Sequence, residues 1–410
     1  MDVRRVGTGV AALRDHNQSL VLRHILLHRG MSRTEIATRI GLTDAAVSRI
    51  TRDLIAGGLV REGREAPAEP GQRGRRHVQL EPDGAGAGFL AVSLTMSDRR
   101  VSLVDLSGRR RAEASLPCTL HRDHDALMAE VARLARRLLD QARFPRRRLL
   151  GVGVTTAGAV DQASGRVSAS SLTMLQGRDV GGDLGALLGA PVIVETVGNA
   201  FGLAEAHRAA RQGGAAMPGP SLLVHGAFGL GVSVMLDGVP VRTGGDERLA
   251  SHLPVAGARH RCVCGATGCL MTEAAGYGVL RRLDGTTAEG SRQGWDDMRP
   301  EALRAAIAAS RGGDPAAAAA MAAAGRALGR HLFALGAAVT PQRILLGGPL
   351  AASPPYVDGL RAGLAEVFAA VAAAEPALVV SGIDYLQAAE ILAIEEFALR
   401  RPLPLERRAA

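Results

Sequence analysis

Lysine is missing from this chain of 410 residues, and all 49 of its basic side chains are arginines. A GC-rich coding sequence accounts for that, so the absence by itself excludes no function. Aromatic residues are scarce, at 3%, which fits an α/β protein rich in Ala and Gly. No apolar run approaches the length needed to span a bilayer, so a membrane-crossing helix is excluded. The N-terminus lacks the apolar stretch of a secretory signal. The alanine-rich tract from Ala316 to Ala324 is followed by Arg326 and Arg330, and reads as a packed helix of a soluble protein. Cysteine is limited to four residues, three of them clustered. That excludes a disulfide scaffold and points to a reducing, cytoplasmic setting. The remaining cysteine, Cys118, is expected to be a small buried residue.

What is present begins with size and charge. A chain this long exceeds a single core, so two or three domains are expected. The formal net charge is +9, and residues 1–84 hold 14 arginines against 10 acids. A modest basic bias of this kind suits a polyanionic partner without proving one.

The most specific motif is His252-x9-Cys262-x-Cys264-x4-Cys269. Three thiolates and one imidazole form a tetrahedral zinc set with no open position, the pattern of a structural ion. Gly265 and Gly268 allow the short loop to fold back so that its sulfurs converge. The bland alternative is three reduced thiols packed as small hydrophobes. His260 is a rival fourth ligand, but it stands so close to Cys262 that it would strain the loop.

The first eighty residues read as a DNA-binding head. Leu20 to Leu27 has a helical apolar period that stops at Gly30. Ser32-Arg33-Thr34-Glu35 is a capping box that opens a second helix, ending at Gly41. Thr43 is a good N-cap for a third helix from Asp44 to about Ala56. Two short helices joined by a glycine-containing turn form a helix-turn-helix. Ala46, Val47, Ile50, Leu54 and Ile55 should face the core. Asp44, Ala45, Ser48, Arg49 and Arg52 remain outside, where a recognition helix touches base edges. Arg33 and Thr43 flank that face. Arg49 can take a guanine edge or a phosphate. Strands at 59–62 and 77–80 enclose a polar stretch with Arg73, Arg75 and Arg76, a wing whose tip can lie on phosphates or in a minor groove. The bland alternative is a solvated loop on a protein-binding winged helix. A linker is expected over 83–88.

Beyond it, strands are expected at 89–94, 100–105, 109–116, 149–155, 192–195, 222–224, 231–236 and 343–346, with helices between many of them. Hairpins first, then alternating strands and helices, twice over, suggest a two-lobed α/β body. With these segments in place, the chain resembles transcriptional regulators of the ROK family (repressors, open reading frames and sugar kinases) over about residues 13–400. The zinc motif carries the resemblance, as do Ser-Arg-x-Glu-Ile-Ala at 32–37, Gly-Leu-Thr-x-Ala-x-Val-Ser at 41–48, Gly151 to Val154, Gly158 to Asp161, Gly347 to Leu350 and Asp384 to Phe397. It implies an actin-like, ribonuclease-H-like body over 89–410 behind a winged helix over 1–82. It also implies a homodimer or homotetramer, a zinc loop over 252–269, and a sugar or sugar phosphate in the cleft.

Departures from the family pattern are equally informative. The wing has Arg76 where relatives tend to have proline. Kinases of this fold carry Asp-x-Gly-Gly-Thr on the first hairpin, and here Ser93 to Ser97 reads Ser-Leu-Thr-Met-Ser. The family's catalytic Asp falls at Val197, which cannot accept a proton. The second phosphate loop carries Phe228 between Ala227 and Gly229. Positions that grip sugar hydroxyls in the family fall at Thr196, Val197, Leu249 and Met271, beside His252.

The expected function is therefore a DNA-binding regulator, a repressor, that binds double-stranded operator DNA and carries one structural zinc per chain. An effector cleft at Thr196, Val197, Leu249, His252 and Met271 would sense a sugar-like or other small molecule. No enzyme activity, no ATP and no membrane are expected. The alternatives are a constitutive or architectural DNA-binding protein with a ligand-free body and, remotely, a sugar kinase.

Overall fold

The computed structural model describes residues 10–28, 30–65, 78–117, 123–213, 217–241, 247–285 and 300–400. Three helices open the chain: α1 (Val10–Leu27), α2 (Arg33–Ile40) and α3 (Asp44–Ala56). α1 starts earlier than its apolar period suggests, and its buried apolar side chains, Val21, Leu22, Ile25, Leu26 and Leu27, all lie in its second half. The capping box at α2 is complete. Ser32 Oγ accepts the Glu35 amide, and the Glu35 carboxylate accepts the Ser32 amide at 2.6 Å. Gly41, at φ 70°, stops that helix in the left-handed region that glycine favours. Thr43 caps α3 by accepting the Ala46 amide at 3.2 Å. Strands β1 (Val60–Glu65) and β2 (Val78–Pro82) pair antiparallel, Val60 opposite Pro82 and Glu65 opposite Val78. The wing's tip, with Arg73, Arg75 and Arg76, lies outside the described residues, as does Cys118.

The expected linker is a tight turn. The Asp83 amide donates to Leu59 O, and the Gly86 amide to Asp83 O. A Cβ on Gly86 would stand 1.5 Å from Gly58 O, so backbone meets backbone there.

The first lobe contains β3 (Gly88–Leu94), β4 (Arg99–Asp105), β5 (Arg110–Ser115), α4 (His124–Gln141), β6 (Leu149–Thr156), β7 (Gly158–Asp161), β8 (Arg166–Ser170), β9 (Arg178–Asp179), α5 (Val180–Leu188), β10 (Val192–Thr196) and α6 (Val197–Arg211). Its main sheet runs β10-β6-β3-β4-β5, and β7-β8-β9 form a small second sheet. The second lobe contains β11 (Pro220–Gly226), β12 (Leu230–Leu236), β13 (Val239–Pro240), α7 (Leu270–Ala274), α8 (Gly276–Asp284), α9 (Pro300–Arg311), α10 (Pro315–Gly336), β14 (Arg343–Gly347), α11 (Pro354–Ala370) and β15 (Ala377–Val380). Its sheet runs β13-β12-β11-β14-β15. In each lobe the first three strands are antiparallel neighbours, and the last two join the first strand in parallel. The same topology thus occurs twice, and the cleft lies between the copies.

Two close approaches shape the body. α10 and α11 cross through glycines on both sides. A Cβ on Gly325 would stand 2.0 Å from Tyr356 O, and one on Gly359 would stand 2.1 Å from Ala322 O. The last helix, α12 (Tyr385–Ile394), returns to the first lobe and lies across β3 and β6. The bare faces of Gly151 and Gly153 admit it, since Cβ atoms there would meet the Phe397 ring at 2.4 Å and Ala389 O at 2.6 Å.

Beyond α12 a wider, π-helical turn over Glu395–Arg400 packs against α1. Head and body share one apolar cluster, in which Val21, Ile25 and Leu54 join Phe89, Leu392 and Phe397. Glu395 is buried at this seam, accepting from Arg23 at 3.1 Å and facing His207 Nδ1 at 2.9 Å. Burial alone would raise its pKa, but His207 and Arg23 hold the carboxyl below its ordinary range.

Candidate functional site

Three features carry chemistry. The first is the outer face of α3. Val47, Ile50, Thr51 and Leu54 point inward, while Asp44, Ala45, Ser48, Arg49 and Arg52 are exposed. Ala46 and Ile55, expected in the core, are only half-buried, and Thr51 takes a core place. Ala45, Ser48, Arg49 and Arg52 line one shallow concavity bounded by Arg61 and Glu62 of β1. Arg33 lines the same concavity and is also tied to its neighbours. Its Nε donates to Thr51 Oγ1 at 3.1 Å and its Nη2 to Glu62 at 2.8 Å. It ties the start of α2 to α3 and to β1. Thr43 is exposed, with its hydroxyl engaged as the cap.

The second feature is the cysteine loop. His252, Cys262, Cys264 and Cys269 bring one ligand atom each to within 4.8 Å of one another. Cys262 Sγ stands 3.5 Å from His252 Nδ1, and Cys264 Sγ stands 3.6 Å from Cys269 Sγ. Bonds of about 2.3 Å to a central tetrahedral ion set ligand separations close to these. The loop closes on its own backbone: the Cys262 amide donates to Ala266 O at 2.8 Å and the Leu270 amide to Leu253 O at 2.8 Å. His260 stays outside the set. It lies 3.4 Å from Glu273 and 2.9 Å from Arg281. The four converging atoms can hold a metal ion.

The third feature is the cleft between the lobes. The β3–β4 turn contributes Thr95, Met96 and Ser97, and the β11–β12 turn contributes Ala227 and Phe228. Thr196 and Val197 enter at the start of α6, with His252 and Met271 opposite. Four of the five expected effector positions therefore meet. Leu249 does not. It is 65% exposed and outside the lining, because the 3-10 turn at Glu247–His252 aims Ser251 and His252 inward and Leu249 outward. Sequence reasoning missed His225 and Tyr385, which line the cleft with Nε2 and hydroxyl 2.9 Å apart. The Phe201 ring packs edge-on to Tyr385. The two residues are 160 apart in sequence, so no local spacing betrays the pair. Among the described residues, no helix is long and apolar enough to cross a membrane.

Comparison with known proteins fits this architecture. The ROK family model matches residues 90–385, and a MarR family model matches residues 14–69. The chain is 26% identical over 337 residues to the DNA-binding transcriptional dual regulator NagC of Escherichia coli, covering 82% of this chain and 80% of that protein. It is 31% identical over 345 residues to a transcriptional regulator of Mycobacterium tuberculosis, covering 82% of this chain and 75% of the relative. Among solved structures, a ROK family transcriptional regulator homologous to the E. coli MLC protein superposes with a TM-score of 0.70 at 23% identity, covering 94% of this chain and 98% of that one. A ROK hexokinase from Thermus thermophilus superposes with a TM-score of 0.57 at 25% identity, covering 75% of this chain and 98% of that one. With the doubled lobe, the cysteine loop and the winged head all present, this chain belongs to the ROK family, and its homologues include NagC and other transcriptional regulators of that family.

Proposed function

We propose that this protein is a transcriptional regulator that reads double-stranded operator DNA with α3 and its wing. One observation carries the reading: the outward face of α3 presents Ala45, Ser48, Arg49 and Arg52 in one concavity, ahead of a body homologous to regulators. Small residues beside two arginines let the helix approach the groove floor while a guanidinium reaches a base edge or phosphate. The protein acts as a homodimer or homotetramer in the cytoplasm, and its head (1–82), turn (83–88) and body (89–410) divide these tasks. Arg49→Ala should weaken specific operator binding by about 1–3 kcal/mol if the side chain reads a base. Fluorescence anisotropy with operator and scrambled duplexes checks this. Equal weakening on both assigns Arg49 to a phosphate, and no change on either removes α3 from the interface.

Zinc, one ion per chain, is the metal best suited to a closed set of three sulfurs and one imidazole. It would brace the loop whose His252 borders the cleft. The cleft serves a small effector: relatives named as an N-acetylglucosamine repressor and a putative xylose repressor support a sugar-like one. Phosphoryl transfer is not part of this reading. Val197 occupies the start of α6, where family kinases carry their base, and Phe228 fills the β11–β12 turn beside the cleft. Titration calorimetry with ATP and magnesium should register no binding heat. A dissociation constant in the micromolar range would return a kinase reading to contention.

A further inference from the structure

Among the described residues, none of the side chains lining the interlobe cleft is an Asp, a Glu or an Arg. Charged residues make up 22% of the chain, so their absence here is selective. The polar side chains that remain are the hydroxyls of Thr95, Ser97, Ser171, Thr196 and Ser251, the His252 imidazole and the His225–Tyr385 pair. Burial pushes the His225 imidazole down to about 4, so the ring carries no charge at neutral pH. Burial likewise drives the Tyr385 phenol well above its ordinary value.

The longer helices α6 and α12 start at the cleft wall, where an anion would otherwise settle. Both starts already have a carboxylate. At α6, buried Glu195 accepts the Thr196 amide at 2.8 Å and Asn199 Nδ2 at 3.1 Å. At α12, Asp384 accepts the Gln387 amide at 2.8 Å. An entering phosphate, sulfonate or carboxylate would exchange water for a lining whose described side chains include no arginine. The opposing surface of Met96, Val197, Phe228 and Met271 favours apolar contact instead.

We propose that this cleft takes an uncharged ligand with an apolar face and turns away phosphorylated and other anionic compounds. The inference rests on the reading of the cleft as an effector site. N-phenylnaphthylamine and anilinonaphthalene sulfonate share one aromatic framework and differ by the sulfonate, which makes them a matched pair of fluorescent probes. The full-length protein should bind the neutral dye at least ~100-fold more tightly than the sulfonate. Met96→Arg, on the half-buried β3–β4 turn, places a cation at the wall and should shrink that ratio at least ~10-fold. Ser97→Arg repeats the test on the same turn should Met96→Arg fail to fold. Tight sulfonate binding to the wild type that responds to these substitutions overturns the charge selection and leaves the cleft as a binding site. Neutral-dye binding indifferent to both substitutions lies outside the cleft and overturns the inference. If the folded wild type binds neither dye, the effector reading fails and the inference fails with it.

Discussion

Cys264→Ser protein should carry less than about a tenth of an equivalent of zinc, against one equivalent per chain in the wild type. Serine keeps the volume but replaces a thiolate with a poor ligand, leaving three donors around an ion that needs four. The fold around the site has little else to hold it. Residues 264–267 are exposed, and of the segment from Leu253 to Gly268 only Cys262 and Gly268 are buried. In small zinc modules the ion contributes on the order of 10 kcal/mol to folding. The surrounding helices lower that figure here, so a lower melting temperature is expected rather than an unfolded chain. Elemental analysis together with thermal unfolding reads both effects. A full equivalent of zinc in the Cys264→Ser protein would sink the ligand assignment. Because His252 borders the cleft, loss of the ion should also loosen one cleft wall.

Gly325→Val should be the most destabilising single change in the second lobe, costing about 3 kcal/mol or more. The new Cβ would meet Tyr356 O at 2.0 Å and Leu360 N at 2.9 Å, both backbone atoms of α11. No rotamer relieves a clash with backbone, so α10 and α11 must separate along their crossing. Leu328, Leu332, Leu360 and Leu364, buried in the same cluster, would lose contacts together. Gly185→Ala in α5 is the control, since its Cβ would meet nothing nearer than 3.5 Å. That variant should match or slightly exceed the wild type, because alanine favours helix. Equal melting temperatures for the two variants would show that the helix crossing tolerates a wider spacing than its geometry implies.

The head was legible in the sequence because its signals are local. Ser32, Glu35, Gly41 and Thr43 each act within four residues, and all four perform the expected capping or stop. The cysteine loop was legible for the same reason, since three of its four donors fall within eight residues of chain. Spacing could not say where a side chain aims after a turn. Leu249 looked cleft-facing and turns outward. The His225–Tyr385 pair, the return of α12 to the first lobe and the identical strand order of both lobes depend on residues far apart. The glycines of α10 and α11 carried a signal that went unread, because a bare helix face is informative only once its partner is known.

The seam between α1 and the Glu395–Arg400 turn bears on the order in which the molecule is made. Synthesis delivers the head first, yet its shared apolar cluster includes Leu392, Phe397 and Leu399. Arg23 likewise waits for Glu395, which lies 372 residues further along. A chain still emerging from the ribosome therefore has a head that lacks part of its bed. Domains completed early in translation usually fold as they appear. Here the head reaches its final support only after the Glu395–Arg400 turn has been made.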